Sequence, residues 1–344
     1  SLLGTALLDA AAGTIDFASG STIAVGPADI GLRFGAANDL SLGEVAARQV
    51  GNFDGLAIDP ALIGAGNLAA DAITTATAFD ATFGGDVAIG SVTAGDASNI
   101  RIEAGGSIGG RTGGTGITLL AQPDAGNQRG DIDLRAGGVL GGTITVAAAA
   151  GDAFSATAGD ALGDPVTGKS GAIVIGSAAL DSSFTATTYF ATPQAGEPDG
   201  SIVLGEIDAG GTASVATNRV AGTDPLDPTV ATGNIVVGTR LLSQGMMTLA
   251  AGDRGNLLVS DYNPVTNSGR VESLAGSLAI TTGGSVLASS DEAFSASLKG
   301  IFGFKAGGSI SIEALGDLVV NRLEAGSDIA LDVSGSLYNT GASS

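Results

Sequence analysis

Apolar and polar residues alternate in short runs along most of the chain. Ile15 and Phe17 belong to one such run, and Leu40 and Leu42 belong to another, with polar or small residues between them. Side chains of a β-strand point alternately to its two faces, so each run predicts a short strand with one apolar face. The runs recur at close spacing along the sequence, which predicts an all-β chain.

One phrase recurs with few changes. The stretch from Gly200 to Gly211 reads GSIVLGEIDAGG, and related phrases begin at Gly85, Gly171, Gly233 and Gly316. Each copy has a Gly, a small or polar residue, two aliphatic residues separated by one position, usually a second Gly, and another short apolar alternation. The phrase predicts two short strands joined by a corner, and its recurrence predicts a repeat protein.

The spacing of the repeats changes along the chain. Irregular early coils occupy residues 1–80, compact regular coils follow over 81–150, and residues 151–254 form units of about 30 residues with insertions rich in Pro, Asp and Gly. Residues 255–344 return to shorter corners. We predict a single repeat domain over residues 1–344, as a fragment of a larger protein. A unit of one or two strands cannot bury its inner face alone, so neighbouring units must stack.

Two architectures fit short strands at close spacing: a sandwich or barrel of hairpins, and a β-solenoid whose coils pair in parallel. Near-identical phrases separated by one coil favour the solenoid, because in-register stacking places Ile over Ile and Gly over Gly. A fixed period also places each insertion at the same position of its coil. The loops around Pro165, Pro193 and Pro225 should therefore project from one side, where they form the best candidate for a recognition surface.

Composition narrows the range of functions. A net charge of −21 argues against nucleic acids and anionic membranes as partners, because binding phosphates requires clustered Lys and Arg. The absence of Cys excludes disulfides and thiolate chemistry, and the absence of His removes His general bases and most hydrolase triads. The sequence has no long apolar run that could insert into a membrane.

Several phrases together resemble a known family. GDVAIGSVTAG, SNIRIEAGGSI, GDIDLRAGG and GSISIEALGDLVV resemble the repeats of filamentous-haemagglutinin-type exoproteins, which are large adhesins that Gram-negative bacteria export by two-partner secretion. The resemblance covers roughly residues 80–340. It implies a right-handed parallel β-helix, export through an outer-membrane transporter, and a secreted or cell-surface location.

The resemblance also implies a non-enzymatic role. The expected function is a structural and adhesive stalk that contacts a host or bacterial surface protein or glycan through its outer loops or a distal domain, with self-association as a further property. A polysaccharide-active β-helix remains an alternative. A second alternative is the stick of a contact-dependent toxin-delivery protein, or a self-assembling extracellular filament.

Two groups of residues are candidates for a site. Asp131, Asp133 and Arg135 alternate with Ile132 and Leu134, so two carboxylates and a guanidinium should lie on one outer face. Polysaccharide-cleaving β-helices place calcium-binding acids and a basic residue on such a face, although outward positions of any strand are polar as a rule. Glu206 and Asp208 form a second acid pair on one face, for which the same two interpretations stand.

Tyr189 and Phe190 form the other group. They are read as aromatic residues of an insertion that could stack on a glycan, whereas Phe79, Phe154, Phe184 and Phe294 are predicted to form an aromatic ladder inside the coil. No cofactor and no dedicated metal site are predicted. Acidic loops such as residues 224–227 could bind calcium weakly at the surface.

Overall fold

The fold is given by a computed structural model of the 344-residue chain. The structure describes residues 66–111, 116–137, 142–159, 170–190, 199–219, 233–260, 269–288, 303–320 and 322–339, together with the backbone of six strands before residue 66. The described part contains 31 strands and no helix, and therefore no helix that could span a membrane.

The strands pair in parallel and in register from one coil to the next, which confirms the predicted parallel β-solenoid. The described residues divide between two compact units, residues 1–157 and 158–344, and the division falls within one strand. Coils of the same kind build both units.

The first unit alternates strands of two sheets. The first sheet has the order β1-β4-β6-β8-β10-β13-β15, and the other strands of this unit belong to the second sheet. The strands of this unit are β1 (Ala6–Ala10), β2 (Ile15–Asp16), β3 (Thr22–Ala24), β4 (Leu32–Ala36), β5 (Leu40–Ala47), β6 (Leu62–Gly64), β7 (Leu68–Thr75), β8 (Phe79–Phe83), β9 (Val87–Ala94), β10 (Ile100–Ala104), β11 (Ile108–Gly109), β12 (Ile117–Ala121), β13 (Ile132–Ala136) and β14 (Thr143–Gly151), with β15 (Phe154–Ala158) at the division.

The second unit continues the same alternation, and its first sheet has the order β17-β19-β21-β24-β27-β30. Its strands are β16 (Ala172–Leu180), β17 (Phe184–Phe190), β18 (Ile202–Ala209), β19 (Ala213–Arg219), β20 (Ile235–Ser243), β21 (Met247–Ala251), β22 (Leu257–Val259), β23 (Arg270–Ser273), β24 (Leu278–Thr282), β25 (Val286–Ala288), β26 (Gly303–Ala306), β27 (Ile310–Ala314), β28 (Leu318–Val320), β29 (Arg322–Ala325), β30 (Ile329–Val333) and β31 (Leu337–Asn339).

The long strands of the second sheet bend in the middle. In β9, Ile89 and Val92 are buried, but Gly90 and Ser91 between them both face outward, so the strict alternation is interrupted once. The same interruption occurs in β18 at Gly205 and Glu206. In the coil after β20, two separate strands replace the single long strand. The first half of β20 pairs with β22, and its second half pairs with β23. The repeated phrase is therefore two short strands joined by a corner, as predicted.

The core consists of columns of aliphatic side chains, one residue from each coil. In the second unit one column descends through Ile173, Ile202, Ile235, Leu257, Val286 and Leu318, all of which are fully buried. Burial of such side chains contributes about 1.5–3 kcal/mol each relative to full exposure. The apolar half of the alternation thus supplies the stacking force between coils.

Side-chain oxygens join consecutive coils at the corner that precedes the second sheet. In the second unit each polar residue after the Gly accepts a hydrogen bond from the backbone N–H of its counterpart one coil later: Ser201 from Asn234, Asn234 from Asn256, Asn256 from Ser285, Ser285 from Asp317, and Asp317 from Ser336. The first unit has a similar series through Asn67, Asp86, Ser107 and Thr143. This polar ladder explains why a small or polar residue follows the Gly of the repeat phrase.

The predicted insertions leave and rejoin the coils at equivalent positions. The intervals 191–198 and 220–232 follow Phe190 and Arg219, which are register partners. The strands after the intervals 160–169, 191–198 and 220–232 are also in register, through Ile173, Ile202 and Ile235. The loops with Pro165, Pro193 and Pro225 lie outside the described residues, as do residues 224–227. Intervals at a different corner, 261–268 and 289–302, separate β22 from β23 and β25 from β26.

Phe79, Phe154 and Phe184 are buried, as predicted for the inside of the coil. The predicted aromatic ladder does not continue from Phe79 into the next coil, because the register partner there is Ile100. It also does not continue from Phe184 into the next coil, where the partner is Ala213. A large ring beside a smaller side chain fills the narrow core without overpacking it. Phe294 lies outside the described residues.

Candidate functional site

Asp131, Asp133 and Arg135 lie where the alternation predicts. Ile132 and Leu134 of β13 are buried, and the three charged side chains face outward. The acidic groups, however, are engaged in contacts with the scaffold. Asp131 accepts a hydrogen bond from the backbone N–H of Ala153 at 3.2 Å, and Asp133 contacts Arg135 with an oxygen–nitrogen distance of 3.2 Å.

The charges on this face alternate along the stacking direction. Arg101 of β10 is the register partner of both Asp80 and Asp133, and it forms ion pairs with Asp80 at 3.7 Å and with Glu103 at 3.2 Å. Glu103 is in turn the partner of Arg135. Exposed ion pairs of this kind contribute little stability, about 0–1 kcal/mol each. Their main effect is to neutralise the acids, so the face favours a scaffold over a binding site for a charged ligand.

Glu206 and Asp208 follow the same principle. Arg240, one coil further, contacts the Glu206 carboxylate at 2.7 Å and the Asp208 carboxylate at 2.6 Å. One guanidinium therefore bridges both acids of the pair. Within the described part of the chain, no group of three or more acidic residues is arranged to hold a metal ion.

Phe190 requires a correction. It is the last residue of β17, not part of the insertion, and its side chain is only 1% exposed, so its ring cannot stack on a sugar. The ring instead packs across glycines of successive coils. A Cβ atom at Gly200, Gly233 or Gly252 would lie 2.5–2.7 Å from atoms of Phe190. The aromatic ring closes the core at the point from which the insertions depart.

Tyr189 is half-buried and lies on the outer side of β17, between the buried Thr188 and Phe190. Its register partner in the next coil is Asn218. Asn218 lies beside a feature that the sequence did not predict, a shallow groove of about 650 Å3 on the second unit. The groove lies across β19, β21, β24 and β27 and the turns after them.

Two consecutive coils have glycine at one position along the groove. The residue at this position is Asn218 after Thr217 of β19, Gly252 after β21, Gly283 after β24 and Leu315 after β27. Gly283 donates a backbone hydrogen bond to Gly252 at 3.2 Å, so the two glycines are neighbours. They form a floor between Asn218 on one side and Leu315, which is 60% exposed, on the other.

The walls of the groove carry balanced charges. Arg219, Arg254, Asp253 and Glu313 line it, two cations and two anions, in a molecule of net charge −21. Arg219 holds Asp253 through its Nε at 2.6 Å. The Nη1 of Arg219 is shielded from solvent and has no hydrogen-bond partner among the described residues. The arrangement therefore offers hydrogen-bonding groups without a strong net field.

Three further polar side chains line the groove and are uncommitted. Asn218, Thr281 and Glu313 form no hydrogen bond or ion pair within the described part of the chain. The amide and the hydroxyl can each donate and accept, and the carboxylate accepts. A sequence signal for the groove did exist. Alignment of the first-sheet strands as FTATTYF, ASVATNR, MTLAAGD, LAITTGG and ISIEALG brings the two glycines together.

Comparisons with known proteins identify no relative. No family model, no curated protein and no solved structure matches the chain. The resemblance to filamentous-haemagglutinin-type repeats therefore rests on the sequence phrases alone.

Proposed function

We propose that this chain is a structural and adhesive segment of a large exported bacterial surface protein. In this role the stacked coils hold recognition elements at a distance from the cell, and those elements contact a protein or glycan on a host cell or a neighbouring bacterium. Export through an outer-membrane transporter belongs to the same proposal, which rests on the resemblance of the repeat phrases.

The observation that carries the proposal is the shared position of the insertions. The intervals 191–198 and 220–232 begin after paired residues and end before paired strands, so consecutive coils present them at the same corner. Loops held by a regular scaffold are a common way to build a binding surface, because they vary without disturbing the core. The neutralised outer faces support the same interpretation, since they leave the strands as framework.

Adhesion can be tested with the purified chain on beads. In one variant the intervals 160–169, 191–198 and 220–232 are replaced by Gly-Ser linkers of equal length. In the matched control the intervals 261–268 and 289–302 are replaced in the same way. We expect the unaltered chain and the control to attach the beads to epithelial or bacterial cells, and the first variant to lose at least about tenfold in attachment. Circular dichroism and thermal unfolding check that all three chains fold.

Equal attachment by both replaced variants would contradict the role of the insertions, and no attachment by the unaltered chain would contradict adhesion. The enzymatic alternative is assayed on acidic polysaccharides with and without calcium. Turnover that is abolished by Asp133→Ala would replace the adhesive proposal with a catalytic one.

A further inference from the structure

We propose that the groove formed by Asn218, Gly252, Gly283 and Leu315 is a binding site for a neutral oligosaccharide. The inference rests on the adhesive function proposed for the chain. It names the class of ligand, and it places the binding site on the strands of the first sheet and not on the insertions. Its basis is the shape of the groove, its uncommitted polar groups and its charge balance.

The dimensions fit a short linear ligand. The lining residues come from four consecutive strands of the first sheet, β19, β21, β24 and β27, and neighbouring strands lie about 4.8 Å apart. The groove therefore extends about 14 Å along the stack, enough for about three sugar units. Its volume of about 650 Å3 lies within the usual range of small-ligand sites.

The polar groups fit hydroxyl-rich ligands. Asn218 and Thr281 can each donate and accept, and Glu313 accepts. Sugar hydroxyls also donate and accept, so one ligand can satisfy all three residues. The two arginines and two carboxylates cancel in charge, whereas the whole chain carries −21 and repels acidic glycans. A neutral glycan is therefore favoured over a uronic-acid polymer.

Apolar surfaces lie on the floor and at one end of the groove. Ala250 and Ala251 contribute to the floor, and the exposed Leu315 forms one end. Tyr189 lies one strand beyond Asn218 on the other side, so a ligand that extends past Asn218 would reach its ring. Sugars present C–H faces that pack on such surfaces. A peptide ligand is less well served, because the β19, β21, β24 and β27 edges are already paired on both sides and the glycine floor offers no deep apolar pocket.

The test uses the complete chain and a printed array of neutral and acidic oligosaccharides of two to six sugar units, followed by calorimetry with each neutral oligosaccharide bound. Thr281→Trp fills the groove from an exposed position of β24, and we expect it to abolish binding. Asn218→Ala removes one uncommitted amide and should weaken binding about fivefold or more. Tyr189→Ala removes the ring beyond Asn218 and should weaken binding of oligosaccharides of four or more units.

Thr118→Trp is the matched control, because Thr118 is an exposed outward residue of β12 in the first unit. It should bind as the unaltered chain does, and thermal unfolding should be similar for both Trp variants. Failure of the unaltered chain to bind any neutral oligosaccharide at millimolar concentration would overturn the inference, as would full binding by Thr281→Trp. If cells still attach to Thr281→Trp, the adhesive function holds but does not depend on this site. If the unaltered chain binds glycans but cells do not attach to it, the site holds and the adhesive function fails.

Discussion

At the scale of the residue, the glycines of the chain serve two different purposes. Some lie where a neighbouring coil approaches too closely for any side chain, and others merely occupy an open corner. Gly130 is of the first kind, because a Cβ there would lie 2.1 Å from the carbonyl oxygen of Ser98. Gly238 is of the second kind, since its nearest neighbour would be the carbonyl oxygen of Leu204 at 3.4 Å.

This difference predicts opposite effects of the same substitution. We expect Gly130→Ala to destabilise the first unit by at least about 1–3 kcal/mol, because the backbone must move to relieve the overlap. Gly238→Ala should be neutral or stabilise by up to about 1 kcal/mol, because Ala restricts the unfolded chain without a clash. Urea denaturation followed by circular dichroism measures both. Similar midpoints for the two variants would show that close approach does not determine which glycines are required.

Residues of β13 and β17 show how much of the structure the sequence alone can predict. The alternation in β13 correctly placed Asp133 and Arg135 outside, because strand periodicity decides the face of each residue. It could not show that Arg101 forms an ion pair with Asp80, because that contact depends on which coil pairs with which. The sequence predicts Phe190 in an insertion because the alternation does not mark where β17 ends, and only the glycines of the following coils make room for its ring.

At the scale of the element, the polar residue after the Gly of each phrase is a connection between coils. Asn256 accepts a hydrogen bond from the backbone N–H of Ser285 at 2.7 Å and donates its own backbone N–H to the side chain of Asn234 at 2.9 Å. The sequence showed that this position is small or polar. The hydrogen bonds themselves could not be predicted, because they join residues that become neighbours only when the register of the coils is set.

The ladder predicts a graded response at Asn256. Asn256→Ala leaves the N–H of Ser285 without its acceptor and should destabilise the second unit by about 1–3 kcal/mol. Asn256→Ser should recover most of that loss, because serines at positions 201 and 285 accept the equivalent hydrogen bond. Chemical denaturation gives the two free energies, and hydrogen exchange at the Ser285 amide reports the local effect. Equal losses for Ala and Ser would mean that the side chain acts by packing and not by accepting the hydrogen bond.

At the scale of the whole molecule, identical positions differ because of their place in the stack. In the first sheet, Ile310 of β27 is the register partner of Ile329 of β30, so both face the core of the second unit. Ile310 has a paired strand on each side, since β27 also pairs with β24, and it is fully buried. Ile329 lies in the last first-sheet strand of the described part and is 46% exposed. The repeat pattern in the sequence predicts the same inward position for both and cannot distinguish their burial.

The difference gives a matched test of stacking as the source of stability. Ile310→Ala removes buried methyl groups and leaves a cavity between two coils, so we expect a loss of about 2–5 kcal/mol. Ile329→Ala removes the same groups from a half-exposed position, where the surroundings can adjust and water already has access, so the loss should be below about 1 kcal/mol. Both values come from urea denaturation of the same chain. Equal losses at the two positions would indicate that each coil is stabilised within itself, contrary to a fold in which every coil depends on its neighbours.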